Sequence, residues 1–172
     1  MSDLYVTWDN YHTAIERLAA QVHVSGWEFN QIVCIARGGL RIGDTMSRIF
    51  KTPLAIIFTQ SYVENAGTVR GEIVISPHLA MTTPSLGDRV LLVDDLVDTG
   101  ITLEMVEARL HQEYPEVKEI RTAVLWQKER STFLPTYRVE YLADNPWIHQ
   151  PFEGYDMMTS EDLAERERLP SS

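Results

Sequence analysis

The sequence predicts an α/β fold with a largely parallel sheet flanked by helices, on three observations. Short, uninterrupted, β-branched runs recur at Ile32-Val33-Cys34-Ile35-Ala36, Leu54-Ala55-Ile56-Ile57-Phe58 and Val90-Leu91-Leu92-Val93, as in strands buried on both faces. Segments between and after them carry apolar residues at helical spacing, and strands alternating with helices make parallel βαβ units. Two of the runs end abruptly in glycine-containing turns, after Ala36 and after Val93. Ligands of such folds bind beyond the carboxyl ends of the strands.

Each element follows in order. From Tyr11, the spacing of Ile15, Leu18, Ala19 and Val22 predicts an amphipathic helix. The first strand at 32–36 stops at Arg37-Gly38-Gly39, and Ile42, Met46, Ile49 and Phe50 predict a helix beyond it. Pro53 precedes the second strand at 54–58. Residues 61–87 differ in kind: Gly67, Gly71, Pro77, Pro84 and Gly87 interrupt short alternating pieces such as Glu72-Ile73-Val74-Ile75, which predicts a flexible hood loop or hairpin. A strand at 89–93 leads through an acidic loop into a helix carrying Leu103, Val106 and Leu110. Strands follow near 120–125 and, half-exposed by its alternation, at 137–141. Residues 159–172 read as a short charged helix and frayed tail.

At 172 residues, one domain spanning the chain is expected. With 44% hydrophobic and 23% charged residues the composition is that of a folded globular protein. No segment has the apolar length to span a bilayer, and the first residues lack the basic start and apolar run of a secretory signal, so a cytoplasmic location is expected. The single cysteine, Cys34, lies in an apolar run and reads as a buried, inert residue. A net charge of −10 argues against binding nucleic acid or an anionic membrane. Any anionic substrate must therefore be held by local devices such as amides, hydroxyls, a metal ion and a few placed cations.

The acidic loop supplies such devices. Asp94, Asp95 and Asp98 crowd the end of a buried strand, where their mutual repulsion calls for a metal or ligand hydroxyls. Thr99-Gly100-Ile101-Thr102 then opens a helix, whose unpaired N–H groups, with Gly100 allowing close approach and two threonine hydroxyls, can grip a phosphate without lysine. The plainer reading makes Asp98 or Thr99 a helix cap and the aspartate pair a solvated turn. Caps, however, do not require three acids and two threonines at this spacing.

Four apolar residues, two acids, two spacers and Asp-Thr-Gly-x-Thr together resemble the phosphoribosyl-pyrophosphate signature of the type I phosphoribosyltransferases. The resemblance extends to the bacterial xanthine-guanine phosphoribosyltransferases through Val6-Thr7-Trp8-Asp9, Ala36-Arg37-Gly38-Gly39-Leu40, Ser61-Tyr62, Asp94-Asp95-Leu96-Val97-Asp98-Thr99-Gly100 and Trp147-Ile148-His149-Gln150-Pro151, in that order. It implies a type I phosphoribosyltransferase core with a small hood, and a purine-salvage reaction in which a 6-oxopurine displaces pyrophosphate from phosphoribosyl pyrophosphate. The family also implies a homodimer or homotetramer.

Site residues follow from that resemblance. Asp98, Thr99, Gly100, Ile101 and Thr102 would hold the 5-phosphate. Asp94 and Asp95 would face the ribose hydroxyls and a Mg2+ ion, with Asp95 the first choice as direct ligand. Asp98 matches the general base toward the purine N7 proton, and neighbouring carboxylates would raise its proton affinity. Arg37, Gly38 and Gly39 would receive pyrophosphate, with Arg70 of the hood closing over it. Lys128 would donate to the 6-oxo group, Trp147 would stack on the base, and Ile148 would offer backbone groups to its 2-substituent edge. Taken singly, Arg-Gly-Gly is an ordinary turn, Lys128 a surface lysine and Trp-Ile a core pair. Where the xanthine-guanine group has an acid after Trp-Ile, this chain has His149. Two other readings stay open: a regulatory protein that keeps the phosphoribosyl-pyrophosphate loop as a sensor, and a phosphoribosyltransferase for another base.

Overall fold

Period-two alternation sorts the side chains of the buried strands onto two faces. In the computed structural model, which describes residues 3–61 and 73–168, β2 (Gln31–Ala36) sends Ile32 and Cys34 to one core and Val33 and Ile35 to the other. In β5 (Arg89–Val93), Leu91 and Val93 face the first core, Val90 and Leu92 the second. Helices α1 (Trp8–Val24) and α2 (Leu40–Phe50) cover the first face through Tyr11, Ile15, Leu18, Val22, Ile42 and Met46. Helix α3 (Ile101–Glu113) covers the second through Leu103, Val106 and Leu110.

The sheet runs β4 (Ile73–Ile75), β3 (Leu54–Ser61), β2, β5, β7 (Glu119–Lys128), with β6 (Leu96–Val97) and β8 (Tyr137–Leu142) both pairing β7. Every pairing is parallel except β3 with β4. The chain leaves β2 toward β3 on one side and leaves β5 toward β7 on the other, so the strand order reverses between β2 and β5. Cys34 pairs with Val93, which sets the turns after Ala36 and Val93 side by side at this switch point.

A second, two-stranded parallel sheet pairs β1 (Asp3–Tyr5) with β9 (Trp147–His149), and Tyr5 stacks on His149 at 4.3 Å. Between β1 and the core, Thr7 caps α1 by accepting from the Asn10 amide. Of the segment 61–87, residues 62–72, with Arg70, lie outside the described residues. From 73 onward it pairs antiparallel with β3, bridges Ala80 to Ile56 and buries Leu86. Helix α4 (Ser160–Arg168) buries none of its residues. Among the described residues no helix is long and apolar enough to cross a membrane. Cys34 is fully buried, and desolvation pushes its thiol up to about 12, so it is inert as a nucleophile.

Candidate active site

Two turns meet at the switch point because the glycine turn lacks side-chain bulk where the acidic loop presses on it. A Cβ on Gly39 would stand 2.6 Å from the Val93 carbonyl oxygen, and one on Gly38 would stand 2.5 Å from Asp95 Oδ1. Only glycine lets the Arg37-Gly38-Gly39 turn lie against the acidic loop. The peptide bond between Ala36 and Arg37 is cis. Arg37 itself projects outward, 3.9 Å from Asp156, and lines a cleft of about 500 Å³ with Gly38, Leu40, Arg41, Phe152 and Tyr155.

The acidic loop is not irregular throughout. Leu96-Val97 forms the short strand β6 against Trp126 and Gln127, which divides the acids into two groups. Asp94 and Asp95 stay at the end of β5. Asp94 Oδ1 accepts from the Asp95 amide at 2.9 Å, Asp95 Oδ1 from the Leu96 amide at 2.8 Å, and Asp95 Oδ2 from Gln150 Nε2 at 3.1 Å. Burial pushes both carboxyls above the usual carboxylate range, and for Asp94 the charge of Asp95 adds to it.

Asp98 emerges beyond β6 into different company. Arg130 grips both its oxygens, and Lys128 Nζ lies 3.7 Å from Oδ1. The crowding of acids expected for Asp98 therefore falls on Asp94 and Asp95, because β6 carries Asp98 along β7 to where Lys128 ends that strand. Lys128 is 5% exposed rather than a surface lysine, and its ammonium stands 6.0 Å from the ring centroid of Trp147. Trp147 is 60% exposed, a free aromatic face, whereas Ile148 beside it is buried. The structure thus brings Asp98, just past β6, together with Lys128 of β7 and Trp147 of β9.

Helix α3 begins at Ile101 with Gly100 as its N-cap, φ 95°, and among the described residues no side chain caps it, neither Asp98 nor Thr99. A Cβ on Gly100 would run into Phe133. Thr132 donates through both its amide and hydroxyl to the Thr99 carbonyl, at 3.1 and 3.2 Å. A hollow of about 150 Å³ opens here, lined by Asp94, Asp98, Thr99, Gly100 and Thr102 among others. Uncapped amides, hydroxyls and a restrained loop suit a phosphate group.

Sequence reasoning gave no role to Arg130 or Gln150. Nothing local marks Arg130, which reaches Asp98 across 32 residues. Gln150 stood inside the Trp-Ile-His-Gln-Pro motif, the one signal that could have singled it out.

The phosphoribosyl transferase domain model matches residues 7–156 of this chain. A xanthine-guanine phosphoribosyltransferase from Gluconobacter oxydans is 30% identical over 149 residues, 86% of this chain and 83% of that protein. One from Idiomarina loihiensis is 26% identical over 151 residues, 88% of this chain and 87% of that protein. Among solved structures, a purine phosphoribosyltransferase from Pyrococcus horikoshii superposes with a TM-score of 0.71 at 30% identity, covering 88% of this chain and 94% of its own. The xanthine-guanine-hypoxanthine phosphoribosyltransferase of Helicobacter pylori, at 22% identity, shares the fold with a TM-score of 0.74 over 95% of this chain and 99% of its own.

Proposed function

Because the chain belongs to the phosphoribosyl transferase domain family and is an enzyme of that class, we propose that it is a cytosolic purine-salvage enzyme that joins a 6-oxopurine to phosphoribosyl pyrophosphate. The observation that carries this reading is the meeting of Lys128, Trp147 and Asp98: an ammonium 6.0 Å from an exposed indole and 3.7 Å from a carboxylate. A purine stacked on Trp147 presents its edge to Lys128 and Asp98. Lysine only donates, so it favours a 6-oxo group over the 6-amino group of adenine, which would leave a buried donor unpaired.

The roles divide along the chain. Thr99 to Thr102, with the free amides of α3, hold the 5-phosphate, and Gly38 and Gly39 amides with Arg37 receive the leaving pyrophosphate. As the ring nitrogen bonds to the ribose carbon and the bond to pyrophosphate breaks, the N7 proton passes to Asp98. Arg130 takes one lone pair on each Asp98 oxygen and leaves the others to accept that proton.

Asp94 and Asp95 fit a hard divalent cation such as Mg2+. Their charges are adjacent and part-buried, the ion pairs of the loop among the described residues fall on Asp98, and oxygen donors suit that ion. Among the described residues no third acid, histidine or cysteine completes a protein-only cage, so substrate oxygens and water would fill the remaining positions. When bound, such an ion offsets charge on the pyrophosphate as it departs.

Purified protein mixed with Mg2+, phosphoribosyl pyrophosphate and guanine, xanthine, hypoxanthine or adenine separately tests the reading. Nucleotide formation with at least one 6-oxopurine and little with adenine is expected. Turnover with adenine alone would give the site to another base.

A further inference from the structure

The buried polar atoms that have no partner among the described residues include the Tyr11 hydroxyl and Gln150 Oε1. Both belong to side chains that sense Asp95. Gln150 donates to its carboxylate, and the charge of Asp95, after burial, is the next cause that raises the Tyr11 hydroxyl above its ordinary range. Gln150 is 5% exposed and follows β9, the strand that carries Trp147, without an intervening turn. One end of its amide is fixed on an acid and the other is an acceptor without a donor.

The surroundings of Asp95 explain what is missing. Its carboxylate is fixed from three sides: by the Leu96 amide, by Gln150 Nε2 and by the bare backbone of Gly38. Two lone pairs remain for a ligand. A hydrated divalent cation on those lone pairs would bring water protons beside Asp95, and a buried amide oxygen adjacent to the same carboxylate is placed to accept one.

We propose that Gln150 is a positioning residue for a divalent cation at Asp95, its Nε2 aiming the carboxylate and its Oε1 accepting from the cation's hydration shell, so that the cation is tied to the strand presenting Trp147. The proposal rests on the assignment of Asp95 to the cation. Partners of this kind, one contact removed from the ion, typically govern metal affinity about 10- to 100-fold. The tie also predicts linkage: occupancy at Asp95 strengthens base stacking on Trp147, and the reverse by the same factor.

Mn2+ is the probe, its affinity read by electron paramagnetic resonance on the full chain with phosphoribosyl pyrophosphate present and no base, so that nothing turns over. Gln150→Met matches the side chain in volume and removes both polar atoms. It should weaken Mn2+ binding at least about 10-fold, and abolish the gain in affinity that Mn2+ and phosphoribosyl pyrophosphate give a 9-deazapurine, which cannot be ribosylated. Gln150→Asn, one methylene too short to reach both partners, should move both quantities the same way and serves if the Met variant does not fold. Mn2+ affinity within twofold of wild type in either folded variant overturns the proposal, as does weakened base binding with the metal unaffected. Asp95→Asn separates the two layers: if it leaves Mn2+ affinity unchanged the cation assignment fails, and if it weakens Mn2+ while the Gln150 variants do not, only the role of Gln150 fails.

Discussion

Replacing Gly38 with alanine adds one methyl group and tests how tightly the two turns depend on each other. The new Cβ would stand 2.5 Å from Asp95 Oδ1, 2.7 Å from its Cγ and 3.0 Å from Oδ2. Comfortable contact is about 3.5 Å, so the carboxylate must retreat by roughly 1 Å. It cannot do so freely, because Oδ1 is held by the Leu96 amide at 2.8 Å and Oδ2 by Gln150 at 3.1 Å. A hydrogen bond to a charged group contributes about 1.5–3 kcal/mol, the expected loss of stability if one of the two breaks. For the reaction, misplacing a positioned group by ~1 Å costs about 100-fold. Gly38→Ala should therefore lower kcat/KM for phosphoribosyl pyrophosphate about 100-fold, measured as initial rates at saturating base, with chemical denaturation reporting stability. A rate within threefold of wild type would refute the reasoning that Asp95 is fixed against Gly38.

Three further perturbations separate the remaining roles. Trp147→Leu removes a stacking face worth about 1–3 kcal/mol per base, so KM for the purine should rise roughly 5- to 150-fold; an unchanged KM would move the base elsewhere. Stability should hardly change, since Trp147 is 60% exposed. Asp98→Asn should lower kcat by about 10²–10⁴ while KM for phosphoribosyl pyrophosphate shifts little, and equal loss in both constants would make Asp98 purely positional. Asp94→Asn bears on pH. Burial, then the charge of Asp95, raises the Asp94 carboxyl, so the folded protein binds that proton more tightly than the unfolded chain. The resulting stability is full below the ordinary carboxylate range near about 4 and is lost as pH rises through the raised value. Thermal melts without ligand should show Tm falling with pH above that range in wild type, and a flatter profile with a higher neutral-pH Tm in the Asn variant. A steeper profile in the variant would contradict the assignment.

Much of this fold is legible in sequence because its central strands are buried on both faces, and runs such as Val90-Leu91-Leu92-Val93 are short, β-branched and bounded by turn residues. The start of α3 is legible for a related reason: Thr-Gly-x-Thr after an acidic loop stops a strand and frees helical amides. The β1–β9 sheet is not legible. Three residues give no periodicity, and Asp3 meets Trp147 only through the closed tertiary structure. Strand β6 escapes for the same reason, although two residues of pairing decide that Asp98 faces Lys128 and Arg130 instead of Asp94 and Asp95. The glycines were visible, but not what they accommodate: a turn needs glycine for many reasons, and only the packed structure shows Gly38 yielding its space to a carboxylate. Arg130 carries no local mark at all, since a charged residue after a strand is ordinary until its partner is known.

The most direct test of the central claim is the stoichiometry of the reaction itself. Wild-type protein given phosphoribosyl pyrophosphate, Mg2+ and guanine should release one pyrophosphate for each guanine 5-phosphoribosyl nucleotide formed, with both products lost when the cation is chelated. Pyrophosphate and nucleotide absent under every 6-oxopurine tried, from a protein shown to be folded, would contradict it.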